Sequence, residues 1–191
     1  MTIDATQSGT RERLLEAAAR LAYTQGVGVG VEALCKQAGV SKRSMYQLFA
    51  SKDELLAASL EQRAADIGAQ TLPPADAELT PRERIRYVFA RLEELGPSPE
   101  YLGCPYLAMQ VELKNPEHPA SRVARRRKQE LEEFFREQAQ LGGAARPELV
   151  ARQLVLVFDG ASARAGIGAD PLTGGLSTSL VTTLLDAAGL E

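Results

Sequence analysis

Residues 38–55 read AGVSKRSMYQLFASKDEL. Gly39 suits the left-handed conformation that ends a helix, and Ser41 suits the cap of the next. From Lys42 to Phe49, Met45, Leu48 and Phe49 form an apolar stripe, while Lys42, Arg43, Ser44, Tyr46 and Gln47 cover the other faces. Upstream, VEALCKQA puts Leu34 and Ala38 on one face with Cys35 beside them. Two short helices joined by AGVS make a helix-turn-helix. Ser51, with Asp53 and Glu54 behind it, opens another helix in the arrangement that suits the helix dipole.

Outward from this stretch, nearly every segment carries the helical period. Residues 10–25 place Leu14, Ala18, Leu21 and Ala22 on one face, with Thr10 as the expected N-cap and Gly26 as the stop. GVGVGV (26–31) then reads as a tight connection. The helix opened by Ser51 is expected to reach about residue 69, before the linker TLPPADAEL. TPRE (80–83) supplies a cap, a proline at the first position and a glutamate at the third, followed by the stripe Ile85, Val88, Phe89 and Leu92. CPYLAMQVEL is a short apolar helix. Pro119 opens a long one to about Leu141, with Val123, Leu131, Phe134, Phe135 and Leu141 as its inward side. Pro147 opens another, apolar almost all round at Leu154–Phe158, and the last helix, about 174–188, stacks Leu176, Leu180, Leu184 and Ala188. The reading is all-α, about nine helices and no strand. Residues 1–55 form a helix-turn-helix domain, and residues 56–191 a C-terminal helical domain for ligand binding and dimerisation.

The totals limit function more than they assign it. The 191 residues are 45% hydrophobic and 25% charged, enough for a sizeable core, and the net charge is −3. Residues 1–55 carry seven Lys/Arg against six Asp/Glu, and residues 56–191 fifteen against nineteen, so any nucleic-acid argument rests on local clustering. The chain has two cysteines, Cys35 and Cys104, and a single histidine, His118, with neither CxxC nor HExxH spacing. That excludes a disulfide framework and a zinc site of the usual spacing, and leaves a hydrolytic triad without a partnered base. No cofactor or metal is expected, and no enzymatic activity. The polar start and the lack of an apolar run of about 20 residues point to a cytoplasmic protein without a membrane span. Cys104 stands at a helix start, where a thiol pKa tends to fall, which raises a redox role as a possibility. RRRK (125–128) has Glu130, Glu132 and Glu133 at helical spacing and reads as a solvated, ion-paired face.

A helix that enters the major groove needs an apolar inner side to hold it, an outer side of polar and cationic groups, and a capped, open N-terminus. Lys42–Phe49 has all three. Arg43 in the first turn suits a bidentate contact to guanine, whereas Ser41, Tyr46 and Lys52 suit phosphates, which position without specifying. A short basic amphipathic helix is, by itself, more often only a solvated surface.

The run from the helix that ends at Gly26 through AGVSKRSMYQLFASKDEL resembles the N-terminal domain of the tetracycline-repressor (TetR) family. The shared pattern is Ala38-Gly39-Val40-Ser41, the aliphatic-Tyr pair Met45-Tyr46, Phe49 three residues after Tyr46, and Ser51-Lys52-Asp53-Glu54-Leu55. It covers about residues 10–60. The later GCPY, with a helix opening after HP, is similar to one subgroup of that family. The resemblance implies DNA contacts from Ser41, Lys42, Arg43, Ser44, Tyr46, Gln47 and Lys52. Two features depart from the family pattern: Leu48 stands where a histidine is usual, and Gly30 stands near the usual Thr/Ser cap of the second helix.

The resemblance also implies a dimer built from the last two helices, for which Leu154, Phe158, Leu180 and Leu184 are candidates. It implies an effector pocket in the C-terminal domain, with Tyr87, Phe89, Tyr101, Tyr106, Met109, Gln110, Phe134 and Phe158 as candidate lining residues. Such a pocket suits an apolar or aromatic effector. The expected function is a homodimeric, sequence-specific repressor that binds a pseudo-palindromic double-stranded operator and is released by a small-molecule effector. The alternatives are a small-molecule-binding protein or enzyme with a relic head, and an effector-free DNA organiser.

Overall fold

The computed structural model of the chain describes residues 2–190, with side chains from residue 9 onward. Among the described residues there are helices and no strand. In chain order they are α1 (Thr2–Gln25), α2 (Val31–Ala38), α3 (Lys42–Leu48), α4 (Lys52–Gln62), α5 (Ala64–Thr71), α6 (Pro81–Leu95), α7 (Pro105–Leu113), α8 (Pro119–Leu141), α9 (Pro147–Gly166) and α10 (Leu176–Ala187). Ten segments replace the expected nine because the helix opened by Ser51 breaks at Arg63, whose φ of −85° and ψ of 0° divide α4 from α5. The start of α1 also differs from expectation. The helix already runs from Thr2, so Thr10 lies inside it and is not its N-cap.

By packing, the chain separates into two compact units, and the division is not linear. One contains Met1–Ala64 together with Ala108–Arg126; the other contains Ala65–Leu107 and Arg127–Glu191.

In the first unit α1 packs on α2, α3 and α4. Leu14, Leu15, Ala18, Leu34, Met45, Leu55 and Leu56 are buried together, and Phe49 with them. The turn between α2 and α3 is fixed by backbone hydrogen bonds. Gly39, at φ +65°, donates to the Lys36 carbonyl at 3.2 Å, and Val40 donates to that of Cys35 at 3.0 Å. This closes α2 with the paired hydrogen bonds of a Schellman motif, which requires a residue tolerant of positive φ at Gly39. Segment 108–126 joins the unit through polar contacts. Val27 N–H donates to Glu112 Oε2 at 2.7 Å, His118 Nε2 lies 3.2 Å from Asp53 Oδ1, and Arg126 pairs with Glu61. His118 Nδ1 accepts from Ala120 N–H at 3.1 Å, so the ring closes the first turn of α8 with one nitrogen and meets α4 with the other.

In the second unit α6, α9 and α10 pack on one another. Thr80 and Glu83 form the expected capping box at the start of α6, and the resulting hydrogen bonds, first that from the Thr80 backbone, lower the Glu83 pKa. Phe89 is fully buried, stacked on Phe135 at 5.7 Å and edge-on to Phe158 at 6.3 Å. Helix α6 also holds both ends of α10. Gly175, the N-cap of α10, has no side chain to offer. Glu93 takes over that role by accepting from the backbone N–H groups of Ser177 at 2.7 Å and Thr178 at 2.9 Å. At the other end Arg82 donates to the Leu190 carbonyl at 2.8 Å and pairs with Asp186.

One inward assignment and two dimer candidates are corrected. Leu141, at the last turn of α8, is 73% exposed; the buried side of that helix is Ala120, Ala124, Phe135 and Ala139. Leu154 and Phe158 of α9 lie in the core of the second unit, at 0% and 6% exposure, and are not free for a partner. The large apolar side chain of α9 that faces outward is Leu156, at 73%.

Gly166 and Gly103 form a close crossing in this unit. A Cβ on Gly166 would lie 2.4–2.5 Å from backbone atoms of Leu102 and Gly103, and one on Gly103, already at φ +93°, would lie 3.1 Å from the Ser162 carbonyl oxygen. Gly166→Ala is therefore expected to destabilise the chain by about 1–3 kcal/mol through overpacking against backbone. A urea midpoint unchanged from that of the parent chain would contradict this.

Candidate nucleic-acid interface

Helix α3 is seven residues long, so its direction depends on what it packs against and how it is capped. Ser41, with φ −78° and ψ 154°, accepts from Ser44 N–H at 3.0 Å, and its Oγ lies 2.9 Å from Ser44 Oγ. Met45 and Phe49 anchor the inner face at 0% and 2% exposure. Positions 42, 43, 46 and 47 then fall on the outer face. Ser41, Lys42, Arg43, Tyr46 and Gln47 are exposed, Ser44 is half-buried, and Tyr46 shows 53% of its surface. The structure thus brings six of the seven residues expected at the DNA surface onto one short rod or its cap. The Lys42 amine lies 3.5 Å from Glu32 Oε2 of α2 in an exposed pair worth little in water, so it can be exchanged for a phosphate.

Lys52 is the seventh, and it is engaged elsewhere. Its Nζ donates to the carbonyls of Val27 at 3.0 Å and Val29 at 3.2 Å. With Glu112 accepting from Val27 N–H, the connection between α1 and α2 is held from both sides by opposite charges. That clamp sets the start of α2, where Gly30 has extended backbone and no side-chain cap. A spacing argument sees only that Lys52 is near the helix-turn-helix, because its partners lie 23 and 25 residues away. Next to it, Ser51 caps α4 by accepting from Glu54 N–H at 3.1 Å, and Glu54 Oε2 accepts from Ala50 N–H at 2.7 Å.

The candidate pocket residues divide between the units. Met109 and Gln110 belong to the first; Tyr87, Phe89, Tyr101, Tyr106, Phe134 and Phe158 belong to the second. Phe89 and Phe158 are core, Phe134 is partly buried against Phe135, and Tyr101 exchanges a 2.8 Å hydrogen bond with Ser162. Lys128 and Asp159 form an ion pair in this unit, with the Lys128 amine 5.0 Å from the centre of the Phe158 ring. Cys104 sits beside them. Burial pushes its thiol up in pKa, outweighing Lys128 and the N–H groups of Leu107 and Tyr106, all of which act to lower it. This is opposite to the shift expected at a helix start: the sulfur stays S–H, the less reactive form. The basic run 125–128 is paired: Arg125 with the Pro116 carbonyl, Arg126 with Glu61, Arg127 with Glu130 and Lys128 with Asp159. Among the described residues no group of three or more His, Cys, Asp and Glu is placed to hold a metal, and no helix is long and apolar enough to cross a membrane.

Replacing Lys52 by methionine keeps the stem and removes the amine. We expect Lys52→Met to lower stability by roughly 1–2 kcal/mol, near the low end for a charged hydrogen-bond donor because the site is only part-buried. Urea unfolding measures this. Unchanged stability together with a weaker salt dependence of DNA binding would return Lys52 to the phosphate contacts.

The sequence pattern of the family described as bacterial regulatory proteins, tetR family, matches residues 14–59, which covers the second half of α1, all of α2 and α3, and most of α4. No curated protein matches the chain. Among solved structures, one from Streptomyces avermitilis, provisionally assigned as a TetR transcriptional regulator, is 65% identical, with a TM-score of 0.93 over 95% of this chain and 99% of its own. A TetR-family transcriptional regulator from Streptomyces coelicolor is 28% identical, with a TM-score of 0.86 over 95% and 97%. The reduced form of NemR from E. coli, 22% identical with a TM-score of 0.78 over 91% and 95%, shares the fold. The capped rod with its exposed outer face, the helix-turn-helix around it and likeness over nearly the whole length lead to one conclusion: this chain belongs to the TetR family of transcriptional regulators.

Proposed function

We propose that the chain is a homodimeric transcriptional repressor that places one α3 per subunit in successive major grooves of a pseudo-palindromic operator and leaves it when a small-molecule effector binds. The observation that carries the DNA-reading part is the outer face of α3. Lys42, Arg43, Tyr46 and Gln47 are exposed there on a helix whose opposite face is buried. A helix held in this way meets base edges without first reorganising. Arg43 is the residue we assign to a guanine, and Ser41, Ser44 and Tyr46 are assigned mainly to phosphates.

The dimer reading is supported by an exposed apolar seam on the last two helices. Leu156 and Ile167 of the α9 region are 73% and 79% exposed, and Leu176 and Leu180 of α10 are 50% and 53% exposed. Along α9 the outward positions Leu156, Gly160, Ala163 and Ile167 recur at three- and four-residue spacing, so small residues allow close approach between large ones. Two such helices from each of two subunits would make a four-helix interface. This seam takes the place of Leu154 and Phe158. Leu180 remains on it, and Leu184, half-buried, lies at its edge. Two heads so joined would meet half-sites about 34–36 Å apart, or a multiple of that. The effector reading rests on family membership and on the aromatic side chains of the second unit. An effector that binds one arrangement of the dimer more tightly shifts the population away from the operator-fitting one.

Site selection from random duplexes tests the DNA assignment. Arg43→Ala is expected to relax preference at one base position per half-site, at a cost of roughly 1–3 kcal/mol, while the other positions keep theirs. A selected sequence identical to that of the parent chain would remove Arg43 from base reading.

An arginine at Gly160, where an added side chain meets open space within the subunit, tests the seam. Gly160→Arg should sediment as a folded monomer. A dimer of undiminished stability would place the interface elsewhere.

A further inference from the structure

We propose that Arg11 of α1 is a phosphate contact of this protein, docked in advance against the end of the DNA-reading helix; the proposal rests on the DNA-binding reading of α3. The Arg11 guanidinium carbon lies over the Phe49 ring, 5.4 Å from its centre. Phe49 is the residue that ends α3. Its own N–H donates to the Met45 carbonyl at 2.9 Å, and its side chain is 2% exposed. The ring is therefore a fixed platform, and α1 carries Arg11 to it from outside the helix-turn-helix. Arg11 itself is exposed. A cation over an aromatic ring uses the face of the ring, whereas the five N–H groups of a guanidinium lie in its own plane. Contact with Phe49 thus holds the side chain in place and leaves N–H donors for an anion that accepts two at once, as a phosphate does.

The length of α3 says which anion is near. Seven residues make a rod of about 10 Å, no longer than the major groove is wide at about 12 Å, so in a groove a long side chain at either end is within reach of a sugar-phosphate strand. At the N-terminal end the exposed cations are Lys42 and Arg43. At the C-terminal end, next to Phe49, the cation is Arg11. Lys52, by contrast, is held by two carbonyls of the first unit, whereas no ion pair among the described residues holds Arg11 away from an incoming phosphate.

The test uses the full chain, a duplex enriched by site selection and a scrambled duplex, with affinity measured by fluorescence anisotropy between about 50 and 200 mM salt. For Arg11→Met we expect the slope of log affinity against log salt to flatten by about 0.9 for each protomer bound, equally on both duplexes, with the thermal midpoint close to that of the parent chain. Arg11→Lys should restore most of the slope. A parent-like slope in Arg11→Met overturns the proposal. So does a fall in thermal midpoint with the slope retained, which would make Arg11 a structural cover for Phe49, and so does a change in base preference. If Arg11→Met does not fold, Arg11→Lys decides: a slope as flat as that of an uncharged site overturns the contact. A parent chain with no salt-sensitive binding to either duplex overturns the DNA-binding reading, and this proposal with it.

Discussion

The burial of Met45 and Phe49 fixes a helix too short to hold itself. Seven residues form few internal hydrogen bonds, and in isolation they would not stay helical. Two apolar side chains removed from water, a serine cap and the Gly39 turn supply the missing order. Because Met45 and Phe49 point into the core, Lys42, Arg43, Tyr46 and Gln47 are left on the exposed side, Lys42 in a solvent-exposed pair with Glu32. The exposed face is a consequence of the buried one.

Around this rod, longer connections stiffen the first unit. Lys52 and Glu112 grip the turn after α1 from opposite sides, and His118 and Arg126 tie α8 to Asp53 and Glu61 of α4. The segment 108–126 thereby packs as part of the DNA-binding unit although it lies far along the chain. In the second unit α6 does for α10 what a good capping residue would do locally. Glu93 meets its first N–H groups and Arg82 its last turn, so α10 is held with Val181 and Leu185 inward and Leu176 and Leu180 outward.

Local features of the fold were legible in the sequence. Ser41, Ser51 and Thr80 cap the helices they were expected to cap, Gly39 ends α2, and Pro119 and Pro147 open α8 and α9. Each of these is decided within four or five residues by side-chain or backbone hydrogen bonding. What escaped was decided at long range. Lys52 suits a phosphate by sequence, and its hold on the Val27 and Val29 carbonyls leaves no local mark because they lie more than twenty residues away. Leu154 and Phe158 are dimer candidates by sequence because the helix is apolar almost all round there, and periodicity cannot choose a face when all faces qualify; the burial of Leu154 and the edge-on contact of Phe158 with Phe89 make the choice. Cys104 shows the same limit, since its helix-start position predicts one direction of pKa and its burial imposes the other. At the candidate site the outer residues of α3 were legible, while Arg11 was not, because its partner Phe49 lies 38 positions away in the chain.

The central claim is that the outer face of α3 closes against DNA while its inner face stays in the core. Hydroxyl-radical labelling read by mass spectrometry tests it on one residue, Tyr46, which is 53% exposed in the free chain. On addition of a selected duplex, Tyr46 labelling should fall several-fold while that of Tyr87 in the second unit holds steady. Equal labelling of Tyr46 with and without bound duplex would contradict the account.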